Sequence, residues 1–404
     1  MNSGDTAFML IATALVMFMT PGLALFYGGL VRAKNVLATV MQSFICLGLI
    51  SLVWVFFGYS LAFGPDVGGF IGNLDWAMLK GVGLEPGPYS DTIPDLLFVA
   101  FQMMFAIITP ALITGAFAER MKFSAYIIFA LLWSVLVYMP VCHWVWGGGW
   151  IGAHGALDFA GGTVIHINSG AAALVAALVI GRRKGYGKEP FHPHNLTMTI
   201  LGASILWIGW FGFNAGSALA AGDISTLAFF TTQVAAGAAA LSWVFAEWMI
   251  QGRPTTLGAA SGAVAGLVAV TPAAGFVSPV SAIIIGLVAG VICYLAVLLK
   301  SRIGYDDALD VVAVHGIGGL WGALATGLFA STAWNPGGAD GLFFGNPGLL
   351  GIQAYGAFAT IIYSMVVTFI ILKGIDAVVG LRVDTEAEVR GLDLAEHSEA
   401  GYTI

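Results

Sequence analysis

His166 and His315 are the residues of this sequence best suited to chemistry in an apolar environment. His166 lies in Thr-Val-Ile-His-Ile-Asn-Ser-Gly, and His315 lies in Val-Ala-Val-His-Gly-Ile-Gly-Gly. An imidazole titrates near neutral pH and can donate and accept hydrogen bonds, so two in contact could bind a small polar molecule or relay its proton. Ionisable groups in hydrocarbon usually face a partner or a water-lined cavity. We therefore expect the two rings to meet.

The sequence around the two histidines suggests one motif used twice. The triplet Ala-Leu-Asp occupies residues 156–158 before the first histidine and residues 308–310 before the second. We expect each triplet to begin the helix that carries its histidine. Asp158, with Gly161 and Gly162 shortly after it, has the character of an N-cap whose carboxylate accepts free backbone N–H groups. Its predicted role is structural support of the site.

Two other interpretations of the histidines are open. Each ring could be satisfied separately by its own polar neighbours. A metal site would need third and fourth ligands, and the only nearby acids lie at the helix starts. We expect no metal and no cofactor. Cys46, Cys142 and Cys293 are isolated in apolar runs and are predicted to be buried thiols.

The composition places the histidines in a membrane protein. Of 404 residues, 59% are hydrophobic and 9% are charged, and the mean hydropathy is +0.91. Soluble domains carry about 25% charged residues, so this composition does not describe a water-solvated surface. No basic patch indicates a nucleic-acid partner. The 55 glycines fit close helix packing in lipid.

Eleven apolar runs are long enough to cross a bilayer, which takes about 20 residues. The predicted fold is an all-α polytopic membrane protein with eleven transmembrane helices, located in the cell membrane and surrounded by lipid. The runs lie near 7–30, 36–63, 93–117, 123–145, 161–181, 196–221, 224–250, 257–275, 279–299, 311–331 and 350–380.

The distribution of cations orients these helices. With the N-terminus outside, fourteen of the fifteen lysines and arginines lie on the cytoplasmic side and only Lys80 lies outside. The positive-inside rule therefore predicts an odd number of spans, with the N-terminus out and the C-terminus in. His166 and His315 then lie in the last helix of two inverted five-helix halves. Substrate paths of inverted repeats usually run between the halves near the midplane.

The chain becomes polar after residue 380, which indicates a cytoplasmic regulatory tail. Thr385 and Glu388 have the spacing of a capping box, and Gly391 could end the short helix. The predicted domains are a membrane domain at 1–380, with halves at about 5–181 and 196–331 and an extra helix at about 350–380, and the tail at 381–404.

Aromatic residues near the two histidines could form a cation site. Trp146 begins the sequence Trp-Gly-Gly-Gly, and an indole face attracts a small, partly desolvated cation. Phe101 and Phe105 lie one turn apart in the third run. Phe213 and Ser217 share one face of the sixth. The simpler interpretation is that Trp146 anchors the protein at the membrane interface and that the phenylalanines pack against helices or lipid.

These motifs resemble those of the ammonium transporter family (Amt/Mep/Rh), in its bacterial and archaeal Amt branch. The similarity runs from the first span to the tail. It is carried by Pro-Gly at 21–22, Phe-Tyr-Gly-Gly-Leu at 26–30, Trp-Gly-Gly-Gly at 146–149, His-Gly-Ala-Leu-Asp-Phe-Ala-Gly-Gly at 154–162, Val-Ile-His-Ile-Asn at 164–168, Gly-Trp-Phe-Gly-Phe-Asn-Ala-Gly-Ser-Ala at 209–218, Val-Thr-Pro-Ala at 270–273, Val-His-Gly at 314–316 and Gly-Leu-Arg-Val at 380–383.

The resemblance implies a homotrimeric ammonium transporter, not an enzyme, with one pore in each subunit. It implies transport of ammonium or ammonia, with methylammonium as an analogue, and regulation by a PII-class nitrogen regulatory protein at the cytoplasmic face. It assigns external ammonium recruitment to Trp146, Phe105 and Ser217, with Phe101 beside them. It assigns the pore gate to Phe105 and Phe213. It places His166 and His315 in the pore and assigns support of the entrance to Asp158.

A non-transporting ammonium sensor on the same scaffold is the alternative function. Such a receptor is expected to carry a large output domain after residue 380, where this sequence has 24 residues. For a transporter, an apolar pore favours loss of the proton, because ammonia crosses hydrocarbon more easily than ammonium. Potassium cannot lose a proton, so the same pore is expected to exclude it.

Overall fold

The computed structural model describes residues 1–402. In this part of the chain, ten helices are long and apolar enough to cross a membrane, and a shorter apolar helix lies among them. The protein is therefore a polytopic membrane protein, as predicted. The helices are α1 (Ser3–Leu30), α2 (Ala33–Phe63), α3 (Asp95–Phe117), α4 (Phe123–Ala153), α5 (Gly162–Ile180), α6 (Leu196–Gly216), α7 (Asp223–Gln251), α8 (Thr256–Val270), α9 (Pro279–Ile303), α10 (Val312–Phe329) and α11 (Pro347–Val378).

Helix boundaries follow the predicted runs except where proline or glycine intervenes. The predicted run 257–275 ends early as α8, at Val270, because Pro272 lacks an N–H group and disfavours helix in the residue before it. Helix α4 continues to Ala153 beyond an irregular turn at residues 146–149. This turn presents the tryptophan of the Trp-Gly-Gly-Gly motif.

Small residues let helices α1 and α6 pack closely. Helix α1 lies along α6, where Gly202 faces the backbone of Phe26 so closely that a Cβ atom would clash with it. Close backbone approach through small residues is typical of membrane helices. The outer faces of α7, α9 and α11 instead expose large apolar side chains, including Phe245, Leu295 and Ile362.

The connection between α2 and α3 contains two short antiparallel pairs of strands. Strand β1 (Asp66–Val67) pairs with β2 (Ile71–Gly72), and β3 (Pro86–Gly87) pairs with β4 (Ser90–Pro94). The first pair contacts the irregular turn of α4, since the N–H of Trp150 donates to the carbonyl of Gly69 at 3.1 Å.

The tail forms two short helices, α12 (Thr385–Arg390) and α13 (Leu392–His397), packed against the start of α2. Gly391 ends α12, as predicted, but the predicted capping box is wrong. Asp384 caps α12 by accepting the N–H of Ala387 at 2.7 Å. Glu388 instead turns inward, where it pairs with Arg382 at 2.7 Å.

Candidate pore and substrate site

The rings of His166 and His315 are in contact inside the protein. Their Nδ1 atoms are 3.1 Å apart, and the two side chains are almost entirely buried. One Nδ1 must therefore donate a proton and the other accept it, so the contact holds when the pair carries two or three ring protons in total but not when both rings are fully protonated. Within the described residues, His166 Nε2 has no hydrogen-bond partner.

Two irregular helix starts and a pair of glycines bring the rings together. Helix α5 begins with a π-helical turn at Gly162–Ile167 and α10 with one at Val312–Ile317, and each turn carries its histidine. Such π-bulges are frequent at functional sites. Helices α5 and α10 cross at Gly170, where a Cβ atom would clash with the backbone of Gly316.

Asp158 anchors the start of α5 through its carboxylate. It accepts the backbone N–H groups of four residues at 2.6–3.1 Å, Gly161, Gly162, Thr163 and Val164. Burial raises the pKa of Asp158, while these four bonds favour its charged form and oppose that shift. The predicted capping contact is therefore present.

The second half places a different aspartate in this role from the one predicted. Asp307, not Asp310, accepts the N–H of Val312 at the start of α10, at 2.8 Å. Asp310 pairs instead with Lys300. The matching Ala-Leu-Asp triplets therefore do not supply equivalent caps, because Asp158 and Asp307 each lie eight residues before a histidine and Asp310 lies five before.

A narrow apolar cavity adjoins the histidine pair. Its volume is about 10 Å³, close to the space needed by a single water-sized molecule. The indole of Trp210 stacks on His166, with ring centroids 5.5 Å apart, and its Nε1 donates to Thr271 at 2.9 Å. The cavity is lined by Met19, Leu23, Phe26, Ile108, Leu112, Ile165, Leu206, Trp210, Phe213, Val264 and the two histidines.

Two phenylalanines separate this cavity from a wider space on the other side. The ring centroids of Phe105 and Phe213 are 4.4 Å apart, and Phe105 lies 6.1 Å from the Trp146 ring. Both phenylalanines are almost fully buried. Their rings therefore lie between Trp146 and His166, whose ring is 6.1 Å from that of Phe213.

The wider space, called here the Trp146 vestibule, has a volume of about 170 Å³. Trp146 and Ser217 both line it, as predicted from the motifs. Phe101 does not line it; its ring is fully buried and lies 4.9 Å from that of Phe105. The remaining lining residues are Phe63, Tyr89, Phe98, Gln102, Phe159 and Leu219.

Trp210 and Gln102 are the site residues that the sequence analysis missed. Trp210 lies inside a motif that was used for the resemblance, but its stacking on His166 depends on the helix packing. Gln102 carried a usable signal, because it is a polar residue in an apolar run beside Phe101. It is 8% exposed and lines the Trp146 vestibule.

A second vestibule lies on the opposite side of the histidines. This Asp310 vestibule has a volume of about 50 Å³ and shares Phe26, Val264 and His315 with the apolar cavity. Asp310 and Ser261 give it polar walls. The three spaces are thus arranged in sequence, with the histidine pair between the two vestibules. Across residues 1–402, no three His, Cys, Asp or Glu side chains are grouped as a metal site would require.

Apolar helices around two vestibules and a narrow buried path define a multi-pass membrane protein of the transporter class. The sequence model of the Ammonium Transporter Family matches residues 7–402. The chain belongs to this family. It is 55% identical to an ammonium transporter of Bacillus subtilis over 403 residues, which cover 100% of this chain and 99% of the relative. Such relatives are named as transporters rather than enzymes.

Two solved structures extend the comparison. The crystal structure of Candida albicans Mep2 matches with a TM-score of 0.90 and 37% identity, over 96% of this chain and 87% of that one. A structure described as a sensor Amt protein matches with a TM-score of 0.91 and 30% identity, over 98% of both chains. The same fold is therefore found in proteins described as Mep2 and as a sensor.

Proposed function

We propose that this protein recruits ammonium in the Trp146 vestibule, removes its proton and conducts ammonia past His166 and His315. The contact between the two Nδ1 atoms in an apolar cavity carries this proposal. A potassium ion would have to give up its water there without compensation. Moving a charged side chain to the centre of a bilayer costs from about 3 to more than about 10 kcal/mol.

Recruitment uses the side chains that face the vestibule. The indole of Trp146 offers its face to a cation, and the Ser217 hydroxyl, which donates to the Phe213 carbonyl at 2.9 Å, keeps a lone pair free to accept from ammonium. Phe105 and Phe213 gate the path below, with Phe101 buttressing Phe105 from behind. Asp158 supports the vestibule by holding α5 and by accepting the Trp146 Nε1 proton on its carbonyl at 2.8 Å.

The histidines complete the path. A ring nitrogen that accepts a hydrogen bond can bind the N–H of ammonia, and the shared Nδ1 contact leaves such sites on the Nε2 side. A pair that exchanges one proton could also return that proton to the far side. Transport is then electrogenic if the proton follows ammonia and neutral if it does not.

Topology and assembly complete the proposal. The protein has eleven spans in two inverted five-helix halves plus α11, with the N-terminus out and the C-terminus in, so the Trp146 vestibule is external. The membrane domain covers residues 1–380 and the regulatory tail covers 381–404. Three copies form a homotrimer through exposed apolar faces, and a PII-class protein binds at the cytoplasmic face.

A non-transporting sensor is the second candidate, because a structure described as a sensor Amt protein shares this fold. Solid-supported membrane electrophysiology on proteoliposomes given an ammonium pulse separates the possibilities. A transient current that scales with ammonium supports charge-moving transport. If no current appears, uptake of radiolabelled methylammonium distinguishes a neutral channel from a sensor. Absence of both current and uptake would contradict the proposal.

A further inference from the structure

His143 lies behind the Trp146 vestibule and belongs to none of the roles assigned above. Its ring is fully buried. Nδ1 lies 2.9 Å from the carbonyl oxygen of Ala62, and Nε2 lies 2.9 Å from a carboxylate oxygen of Asp66. Both ring nitrogens of this buried side chain thus have polar partners, which indicates a specific structural role rather than simple packing.

The ring is tied to two separate parts of the chain. Nδ1 contacts the backbone of Ala62, and Nε2 contacts the carboxylate of Asp66. The contact with His143 lowers the pKa of Asp66, which keeps that carboxylate ionised at neutral pH. The buried His143 ring is therefore paired with a carboxylate that is 41% exposed.

The backbone of His143 organises the turn that presents Trp146. Its carbonyl oxygen accepts the N–H of Gly147 at 3.0 Å and the N–H of Gly149 at 2.9 Å. A Cβ atom on Gly147 would lie 2.6 Å from His143 Nδ1 and would clash with the Ala62 carbonyl. The turn is therefore folded tightly over the ring.

The same residue also fixes two other parts of the vestibule wall. Ala62 precedes Phe63, which lines the vestibule. Asp66 also accepts the N–H of Gly69 at 2.8 Å and so holds the turn between β1 and β2. The imidazole of His143 thus joins the end of α2, this turn and the Trp146 turn.

We propose that His143, paired with Asp66, is a positioning residue for the external ammonium site and sets the place of the Trp146 indole. This inference rests on the proposed recruitment of ammonium by Trp146. Loss of the pair frees the Trp146 turn, which weakens cation binding at the vestibule. The apolar path and the histidine pair are built on other helices, so conduction after binding is unchanged.

The test is methylammonium uptake by proteoliposomes containing the full chain. Asp66→Ala is expected to raise KM about fivefold, the scale of one ordinary hydrogen bond, with the maximal rate within about twofold. Asp66→Glu, which keeps the carboxylate, is expected to recover most of the affinity. Asp75→Asn, which removes an exposed charge from the same connection, is the matched control and should match the unmodified protein.

Two outcomes would overturn the inference: an unchanged KM in Asp66→Ala, or a loss of maximal rate at constant KM. His143→Gln is measured in parallel. If this variant fails to fold because His143 is buried, Asp66→Ala still tests the inference, because Asp66 lies at the surface. Trp146→Leu separates the two proposals. If Trp146→Leu leaves KM unchanged, the recruitment site itself is wrong; if it raises KM while Asp66→Ala does not, only the positioning role fails.

Discussion

Asp158 and Asp307 occupy matching positions, each eight residues before one of the two paired histidines. The two carboxylates accept different numbers of hydrogen bonds. Asp158 accepts four backbone N–H groups, whereas Asp307 is fully buried and its Oδ1 has no hydrogen-bond partner among the described residues. Asp158 is therefore a cap with both carboxylate oxygens hydrogen-bonded, whereas Asp307 has a carboxyl group with only one oxygen hydrogen-bonded.

This asymmetry predicts a pH-dependent effect of Asp307→Asn. Burial raises the pKa of Asp307 from 3.8 to about 6. The folded state thus favours the protonated carboxyl of Asp307. The contribution of this group to the free energy of unfolding is lost as pH rises from about 4 through 6. Above pH 6 the ionised form costs about 3 kcal/mol. The amide keeps an oxygen for the Val312 N–H without that charge.

Melting temperatures in detergent from pH 4.5 to pH 8 measure this effect. The difference between Asp307→Asn and the unmodified protein is expected to shift in favour of the variant as pH rises. A difference that stays constant over this range would show that the ionised carboxylate carries no penalty. Asp158→Asn is the comparison and is expected to destabilise at neutral pH, since one oxygen must replace two acceptors.

The crossing of the two histidine helices predicts a strong effect of Gly170→Ala. An added methyl group would clash with the backbone of Gly316 and push α5 away from α10. Overpacking of this kind costs about 1–3 kcal/mol, and it should lengthen the Nδ1 contact. We expect ammonium current to fall at least tenfold.

Gly237→Ala is the matched control for the crossing. Gly237 is also a helical glycine, but a Cβ atom there would meet nothing within 4 Å. Current and melting temperature of this control should be unchanged or slightly raised, because alanine favours helix. Equal currents in the two variants would mean that the glycine crossing does not position the histidines.

The vestibule predicts altered substrate dependence for Trp146→Leu and Ser217→Ala. Each removes one contact to the cation, worth on the order of 1 kcal/mol, or about fivefold in apparent affinity. Uptake of methylammonium at several concentrations measures this, and size-exclusion chromatography tests that the assembly is retained. An unchanged concentration dependence in the double variant would contradict recruitment at these residues.

The sequence predicted the helices and the histidine contact because both depend on local, strongly constrained patterns. A run of about 20 apolar residues has few alternatives in lipid. The capping residues could not be read from the triplets at 156–158 and 308–310, since their aspartates lie eight and five residues before the histidines. The capping residue is the aspartate whose carboxylate reaches the free N–H groups of a π-helical turn, and nothing in the sequence predicts that turn.

The sequence also did not predict the direction of several side chains on α3 and in the tail. Phe101 and Phe105 lie one turn apart on α3, yet neither lines the Trp146 vestibule. Gln102, the neighbour of Phe101, reaches it instead, because successive residues on a helix point in different directions. In the tail, Glu388 faces Arg382 rather than solvent, since an ion pair with a charged partner outweighs the N-terminal cap.

The contacts of the tail predict that its docking depends on Glu388. Its carboxylate pairs with Arg382 and accepts the N–H of Lys184 at 2.6 Å, joining the tail to the connection between α5 and α6. Glu388→Ala leaves the half-buried guanidinium of Arg382 without its partner and is expected to release the tail and change transport. Limited proteolysis should show faster cleavage after residue 380. Glu386→Ala, an exposed neighbour on the same helix, is the control.

Truncation after Arg382 extends this test to the proposed partner. If the tail regulates transport and contributes to binding of a PII-class protein, both properties are expected to change in the truncated chain. Transport and PII-protein binding that are both untouched would rule out a regulatory tail.

The last prediction concerns replacement of His166 and His315. With both replaced by leucine, no ring nitrogen remains beside the apolar cavity to bind ammonia or take its proton, so proton-coupled ammonium current should be abolished. A single His166→Asp or His315→Glu keeps a titratable group and is expected to retain flux. It should also admit potassium more readily, because a fixed anion compensates a desolvated cation. Current per subunit in ammonium and in potassium, for single and double variants, measures both effects. Full ammonium current with potassium still excluded in the double-leucine protein would reduce the two histidines to packing residues.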